Sequence, residues 1–182
     1  MAYIDLGFDE QEFPGIRGLL RYRPETARVL NLLAETLLRE PNSMPAGERE
    51  LIAAYVSGLN ECRFCCDSHS AFAAAQLDEG ARLVEQVLHD PDGAPISPKL
   101  RALLRIAGAV QESGRKVTQE LVVAARDEGA SDVEIHDTVL IAAAFCMFNR
   151  YVDGLGTFAP EEPGGYAAAA RAIVAHGYGA TA

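Results

Sequence analysis

Apolar residues recur at helical spacing through most of the chain. Val29, Leu33 and Leu37 lie on one face of a helix that begins at Pro24 and ends before Pro41. No segment shows the alternation of apolar and polar residues that is typical of a half-buried strand. The pattern therefore predicts an all-α protein.

Capping residues and prolines mark the other helix boundaries. Ser97, Thr118 and Ser131 each precede an apolar run, and Glu134 completes a capping box with Ser131. The helix behind this box is apolar nearly all round over residues 139–148, which predicts a central buried helix. The further predicted helices cover residues 45–59, 61–77, 78–88, 97 onward, 118–129, 131–154 and 166–175.

Length and composition favour a single domain over residues 1–182. With 182 residues, of which 49% are hydrophobic, the chain can bury one sizeable core. Residues 1–22 are interrupted by Gly and Pro and lack periodicity, so we expect an extended N-terminal arm that packs on the domain or on a neighbouring subunit. The apolar, Ala-rich helices offer more surface than one short chain covers, which favours a homo-oligomer.

Net charge and hydropathy limit the partners of the protein. The formal net charge is −10, and the 16 basic residues are scattered, so binding to a phosphate backbone is electrostatically disfavoured. No uncharged apolar run approaches the roughly 18 residues that a membrane span needs, and the acidic N-terminus is unlike a signal peptide. We therefore expect a cytoplasmic protein that binds neither nucleic acid nor membrane.

The chain contains one internal repeat. Residues 52–61 (IAAYVSGLNE) align with residues 141–150 (IAAAFCMFNR), and both are apolar helical segments that end in Asn and a charged residue. The second copy has no cysteine at the positions that Cys62 and Cys65 hold after the first. The repeat predicts a duplicated helical unit in which only the first copy carries reactive side chains.

Three reactive side chains share one helical face. Cys62, Cys65 and His69 form the pattern C-x-x-C-x-x-x-H, and at about 100° per residue they lie within roughly 60° of each other. We expect Asn60 to cap a helix that starts at Glu61. The free N–H groups and the positive end of the dipole in its first turn would then stabilise a thiolate.

His69 and Glu50 can complete a proton relay to a thiol. A free cysteine with a pKa of about 8.5 is only a few per cent thiolate at pH 7, so a nearby base is needed to make it strongly nucleophilic. His69 lies one turn beyond Cys65 and is the candidate base. Glu50, on the preceding helix, is the candidate acceptor for the far nitrogen of the imidazole.

These residues resemble the AhpD-like alkylhydroperoxidases of the carboxymuconolactone decarboxylase superfamily. The family core is a Glu, eleven residues and then C-x-x-C-x-x-x-H, which Glu50, Cys62, Cys65 and His69 match in type and spacing. The flanking segments PGIRGLLRYRPETA and FNRYVDGLG resemble the peroxidase-related subgroup of that family.

The resemblance implies a function and roles for these residues. In the family a peroxide oxidises the second cysteine to a sulfenic acid, and the first cysteine closes a disulfide with it, which assigns these roles to Cys65 and Cys62. It implies an organic hydroperoxide substrate, an external dithiol reductant of the lipoyl or thioredoxin type, no cofactor or metal, and a dimer, trimer or hexamer. The better-known members have a histidine immediately before the second cysteine, where this chain has Phe64.

Other interpretations of the cysteine cluster stay open. Cys62, Cys65, Cys66 and His69 are four zinc ligands by type, although structural zinc sites usually draw ligand pairs from separate elements. Both cysteines of the motif could also be small buried core residues. A decarboxylase or lactone-processing enzyme of the same superfamily and a non-catalytic redox module are further alternatives.

Some neighbouring features have no assigned role. Cys66 points about 100° away from Cys65, and Cys146 lies in an apolar run, so both are expected to be core residues. His136 could replace the missing histidine, although a first-turn histidine is more often at the surface. Arg150 and Asp153 could form a helix-surface or interface pair, or the segment 149–154 could close one side of the pocket, and the sequence does not decide between these.

Overall fold

The computed structural model describes residues 1–181, without the side chains of Pro163, Ala180 and Thr181. Every regular element in this part of the chain is helical, as predicted, and two short 3₁₀ helices occur at Gly114–Lys116 and Tyr178–Thr181. The α-helices are α1 (Ile16–Tyr22), α2 (Pro24–Leu38), α3 (Ala46–Leu59), α4 (Arg63–Ala74), α5 (Gly80–His89), α6 (Pro98–Glu112), α7 (Gln119–Asp127), α8 (Asp132–Gly154) and α9 (Pro163–His176).

The predicted N-caps of the second half of the chain are confirmed. The Ser97 hydroxyl accepts a hydrogen bond from the Leu100 backbone N–H at 3.1 Å, and Thr118 caps α7 in the same way. Ser131 and Glu134 form the reciprocal capping box at the start of α8. These caps satisfy N–H groups that have no partner within the helix.

The N-terminal arm is only partly extended, which corrects the expectation for residues 1–22. α1 forms within it because Leu19 and Leu20 are buried against the domain. A helix this short is stabilised mainly by tertiary packing, and it is too short for its apolar residues to show a clear helical periodicity in the sequence. The arm packs on its own domain. The Tyr3 and Gly15 N–H groups donate to carbonyl oxygens of the segment between α8 and α9 at 2.8 Å each.

α3 is the most enclosed helix of the fold. Residues 49–54 are all buried, because α3 packs against α4, α6 and α8 at the same time. α8 is less enclosed than the sequence predicted, since one stripe of its apolar surface faces outward. This stripe contains Val133, Leu140 and Met147, which are exposed by 60%, 39% and 44%.

The two copies of the internal repeat pair with each other through equivalent residues. Asn60 follows α3 and Asn149 lies near the end of α8, and the Asn60 amide donates to the Asn149 side-chain oxygen at 2.8 Å. The Asn149 amide donates to Ser57 at 3.0 Å, while the Asn60 amide lies 3.6 Å from the Cys146 sulfur, which holds the position equivalent to Ser57. This reciprocal arrangement fits a duplicated helical unit.

No helix among the described residues has the length and apolar character needed to cross a membrane.

Candidate functional site

A tight turn between α3 and α4 places the cysteine pair at a helix start. Asn60 caps the C-terminus of α3 and Cys62 is the N-cap of α4, so the expectation that Asn60 caps α4 is wrong. The reason is Glu61, whose φ of 58° reverses the chain between the two helices. The Asn60 side chain is then free to bond to Asn149 instead.

Both motif cysteines are enclosed at the beginning of α4. Cys62 is 0% exposed and Cys65 is 3% exposed, in a small apolar cluster with Phe64, Val152 and Tyr166. The first helical hydrogen bond here runs from residue 66 to the carbonyl of Cys62, so the N–H groups of residues 63–65 have no acceptor within the helix. The positive end of the dipole therefore lies at the thiols.

The two thiols are unequal. A hydrogen bond to Cys65, burial and the nearby Asp153 side chain raise the pKa of the Cys62 thiol well above its ordinary value. Cys62 therefore keeps its proton. Of the pair, only Cys65 lines the large cavity described below.

Glu50 and His69 form the pair that the sequence predicted. The Oε2 atom of Glu50 lies 2.6 Å from Nδ1 of His69. The Glu50 side chain is 0% exposed, and the His69 side chain is 12% exposed. Glu50 can therefore hold Nδ1 of the imidazole, which leaves Nε2 available to accept or donate a proton.

Tyr178 completes this cluster and was missed by the sequence analysis. Its hydroxyl donates to Oε1 of Glu50 at 2.7 Å, and its ring is stacked on His69 with 6.3 Å between centroids. Burial and the adjacent Glu50 carboxyl raise the pKa of the Tyr178 hydroxyl well above its ordinary value, so the hydroxyl remains a donor. Tyr178 lies in a C-terminal 3₁₀ helix without periodicity, and no sequence pattern relates it to Glu50.

Aromatic rings surround the imidazole. Phe145 contacts the His69 ring edge-on with centroids 4.5 Å apart, and Phe72 does so at 5.1 Å. These contacts fix the plane of the imidazole and reduce the access of water to it.

A large cavity meets the reactive side chains. Cys65, Ser68 and His69 line a cavity of about 1480 Å³, whose other walls come from α1 and the segment before it, α2, α8, α9 and the segment before it, and the C-terminal segment. Phe64 also lines this cavity and packs against Tyr166 with 6.0 Å between ring centroids.

His136, Cys66 and Cys146, which the sequence analysis also considered, lie outside the Glu50–His69 pair and the cavity. His136 does not reach the site, because it lies on the surface at the start of α8 and contacts Asp137. Cys66 is half-buried and faces Gly58, and burial raises the pKa of its thiol. Cys146 is also only half-buried, so the expectation that both are core residues is met in part.

The segment 149–154 contributes to the site from one side. Val152 packs in the apolar cluster of the cysteines, and Asp153 interacts with Cys62. Asn149 and Asp153 line a second, smaller cavity of about 590 Å³. Within the part of the chain that the structure describes, no group of three or more His, Cys, Asp or Glu side chains is arranged to hold a metal ion.

The all-helical domain that carries this buried Glu–His pair and cysteine pair is similar in fold to AhpD-like proteins. The model of the carboxymuconolactone decarboxylase family matches residues 24–90, which include all four motif residues. Residues 24–90 are thus similar to the carboxymuconolactone decarboxylase family, and the described part of the chain has an AhpD-like fold.

Two solved structures share the fold. One is described as an alkylhydroperoxidase AhpD core, an uncharacterized peroxidase-related protein from Ralstonia eutropha JMP134. It is 25% identical, with a TM-score of 0.76 over 87% of this chain and 81% of that one. The other is an uncharacterized peroxidase-related protein from Silicibacter sp. TM1040, 21% identical, with a TM-score of 0.79 over 91% and 94% of the two chains. A comparison with curated proteins finds no significant match.

Proposed function

We propose that the protein is a thiol-dependent peroxidase that reduces organic hydroperoxides. The observation that carries this proposal is the placement of Cys65 on the same cavity as His69, whose other ring nitrogen is held by Glu50 at 2.6 Å. A positioned base beside a nucleophilic side chain, itself oriented by a third group, is the usual arrangement for activating a thiol.

In the first step the Cys65 thiolate attacks the distal oxygen of the hydroperoxide. A sulfur–oxygen bond forms and the oxygen–oxygen bond breaks, so the sulfur becomes a sulfenic acid and the peroxide leaves as an alkoxide. His69 accepts the thiol proton through Nε2 and returns it to the alkoxide, which departs as the alcohol.

In the second step the Cys62 thiol attacks the Cys65 sulfenic acid. A disulfide forms and water leaves, which completes the two-electron oxidation of the thiol pair. The raised pKa of Cys62 supports this order, because Cys62 stays protonated while Cys65 reacts. An external dithiol of the lipoyl or thioredoxin type then reduces the disulfide by thiol–disulfide exchange and is itself oxidised.

The proposal is tested by counting thiols after one equivalent of cumene hydroperoxide. We expect the wild-type protein to lose two thiols per chain, while Cys65→Ser loses none. Cys146→Ser is the matched control and should behave like the wild type, because Cys146 lies outside the cavity. A wild-type protein that keeps all its thiols under these conditions would show that the chain is not a thiol peroxidase.

The family name favours one other candidate, a decarboxylase or lactone-processing enzyme. Glu50, His69 and Tyr178 could serve acid–base chemistry there, but such an enzyme has no use for the cysteine pair. Activity that survives alkylation of Cys62 and Cys65 would favour this candidate.

A further inference from the structure

The cavity beside Cys65 is much larger than a small peroxide needs. Its volume is about 1480 Å³, whereas pockets that enclose drug-sized ligands measure roughly 300–1,000 Å³. Apolar side chains form much of its wall, with Phe72 and Phe145 beside His69, Phe148 next to Phe145, and Ala169 and Ile173 on α9. This interior fits a long hydrocarbon chain, because burial of apolar surface is the main source of affinity there.

Three arginines that form no ion pair among the described residues line the cavity, Arg17, Arg21 and Arg28, and the first two of them share one aromatic ring. Arg17 and Arg21 are one turn apart on α1, and both guanidinium groups lie over the Phe13 ring, at 5.8 Å and 4.3 Å from its centroid. No carboxylate among the described residues forms an ion pair with either of them. The protein as a whole has a net charge of −10, so this pair of arginines on one ring is a local positive region that can bind an anion.

The acidic residues that line the same cavity do not neutralise the positive charge of Arg17 and Arg21. Glu35 pairs with Arg39 and accepts a hydrogen bond from the Tyr178 N–H, so its charge is already engaged. Glu12 and Glu162 also line the cavity, and both are exposed to solvent, which screens them.

Asn31 provides a second polar feature that lacks a partner in the described structure. It lies on α2, lines the cavity and is 7% exposed, yet its amide Nδ2 has no hydrogen-bond partner among the described residues. A buried amide without a partner costs free energy, and a bound polar group removes that cost.

We propose that the cavity binds long-chain carboxylic acids that carry a hydroperoxide group. The carboxylate bonds to Arg17 and Arg21, the hydrocarbon chain fills the apolar interior, and the hydroperoxide reaches Cys65. Asn31 supplies a hydrogen bond to the polar part of the chain. The Cys65 sulfur takes the distal oxygen, and the substrate leaves as the corresponding hydroxy acid. This inference rests on the proposed peroxidase function for its chemical step, but not for the binding itself.

Binding is measured without any peroxide. Decanoate and decanol have the same chain and differ in the anionic group. We expect decanoate to slow the alkylation of Cys65 by iodoacetamide at concentrations at which decanol has at least about tenfold less effect, because hydrogen bonds to charged groups are the strong ones. Equal protection by both compounds would overturn the assignment of the arginines, and no protection by either would overturn the whole site.

Matched variants locate the effect. Arg17→Gln with Arg21→Gln should remove most of the preference for decanoate over decanol. Arg82→Gln with Arg115→Gln removes the same number of exposed charges outside the cavity and should retain the preference. If both double variants retain it, the anion is bound elsewhere and the proposal is wrong.

Measurements of peroxide turnover distinguish the proposed carboxylate site from the proposed peroxidase function. We expect the wild-type protein to react with linoleic acid hydroperoxide at least about tenfold faster than with its methyl ester, both below micelle formation. Equal rates for the acid and the ester would leave the peroxidase function intact and refute the carboxylate site. Decanoate binding without reaction of any hydroperoxide would refute the peroxidase function and retain the site.

Discussion

At the scale of single residues, Glu50 is held from two sides. Its Oε2 atom contacts His69 and its Oε1 atom accepts from Tyr178, while the side chain has no contact with solvent. A buried carboxyl group is tolerated only when both oxygens have partners, because its desolvation is otherwise too costly. The geometry that orients the imidazole is therefore also required for the stability of the core.

The relay makes a kinetic prediction at this scale. Glu50→Gln and His69→Ala should each slow the reaction with peroxide at pH 7 by about 10²-fold or more, the usual scale of general base catalysis. Because the two residues act as one unit, the double variant should be scarcely slower than either single one. Stopped-flow measurement of thiol oxidation gives these rates, with Glu85→Gln as an exposed control.

Raising the pH supplies the counter-test of the relay. A thiol with an ordinary pKa of about 8.5 ionises without help at pH 9, so both variants should regain part of the lost rate. Cys65→Ser should recover nothing at any pH. Wild-type rates for both single variants at pH 7 would mean that the cysteine pair is a passive redox site.

Tyr178 allows a stability prediction whose sign follows from its raised pKa. Above about pH 10 a tyrosine in the unfolded chain loses its proton, while Tyr178 in the folded protein keeps it. The unfolded state then binds fewer protons, so the free energy of unfolding decreases as the pH rises above 10. Tyr178→Phe should be less stable by about 1–3 kcal/mol at pH 7, since it leaves Glu50 one partner short, and should lose less stability above pH 10. Urea unfolding at pH 7, 10 and 11 measures both effects, and a parallel pH dependence in the two proteins would contradict the assignment.

At the scale of elements, the start of α4 brings the two thiols together. Cys62 is the N-cap and Cys65 lies in the first turn, close enough for Cys65 to raise the pKa of the Cys62 thiol. The φ of 58° at Glu61 is a cost of roughly 1–2 kcal/mol that the surrounding packing must outweigh. Such strain at a reactive site fixes the direction in which the helix begins.

This arrangement predicts the disulfide. Mild oxidation should link Cys62 to Cys65 and leave Cys66 and Cys146 as free thiols, because Cys66 faces Gly58 on another side of α4. Peptide mapping by mass spectrometry identifies the pair. A disulfide between Cys65 and Cys146 would contradict the proposed division of roles.

The pairing of α3 with α8 also makes a prediction. Asn149→Ala removes the partner of both Asn60 and Ser57, which are enclosed between the helices. We expect a loss of about 1–3 kcal/mol in the free energy of unfolding, because Ser57 loses its bond from Asn149 and the Asn60 amide keeps only the weaker contact with the Cys146 sulfur at 3.6 Å. A double-mutant cycle with Asn60→Ala should show coupling between the two amides, and strictly additive losses would mean that they contribute independently.

At the scale of the whole molecule, an apolar stripe on α8 bears on the predicted homo-oligomer. Val133, Leu140 and Met147 recur every seven residues and are exposed in the single chain, a spacing that is typical of a helix packed along a partner helix. We expect sedimentation at micromolar concentration to give a dimer, trimer or hexamer of the 19.5 kDa chain.

A charge in the stripe should weaken this assembly. Leu140→Glu is expected to shift the sedimenting species toward 19.5 kDa. Val123→Glu on α7 is the control, since Val123 is exposed to a similar degree outside the stripe. Wild-type protein that sediments as a monomer would refute the prediction of an oligomer.

The features that the sequence predicted correctly depend on neighbours along the chain. Helix periodicity, the caps at Ser97, Thr118 and Ser131, and the spacing of Cys62, Cys65 and His69 are all set within a few residues. The sequence also proposed Glu50 as the partner of His69, and the structure places their reactive atoms 2.6 Å apart. Local rules suffice for these features because hydrogen bonds within a helix join residues close in sequence.

Only the tertiary structure decided how the site is enclosed. Nothing local predicts that Tyr178 reaches Glu50, 128 positions away, or that α1 forms a wall of the cavity. Local preference was also overruled between α3 and α4, where Asn60 is a good N-cap by type but bonds to Asn149 from the repeated segment. The sequence by itself determined the helices and the four motif residues, whereas long-range packing determined which thiol meets the cavity, because burial and contacts between distant segments depend on the whole fold.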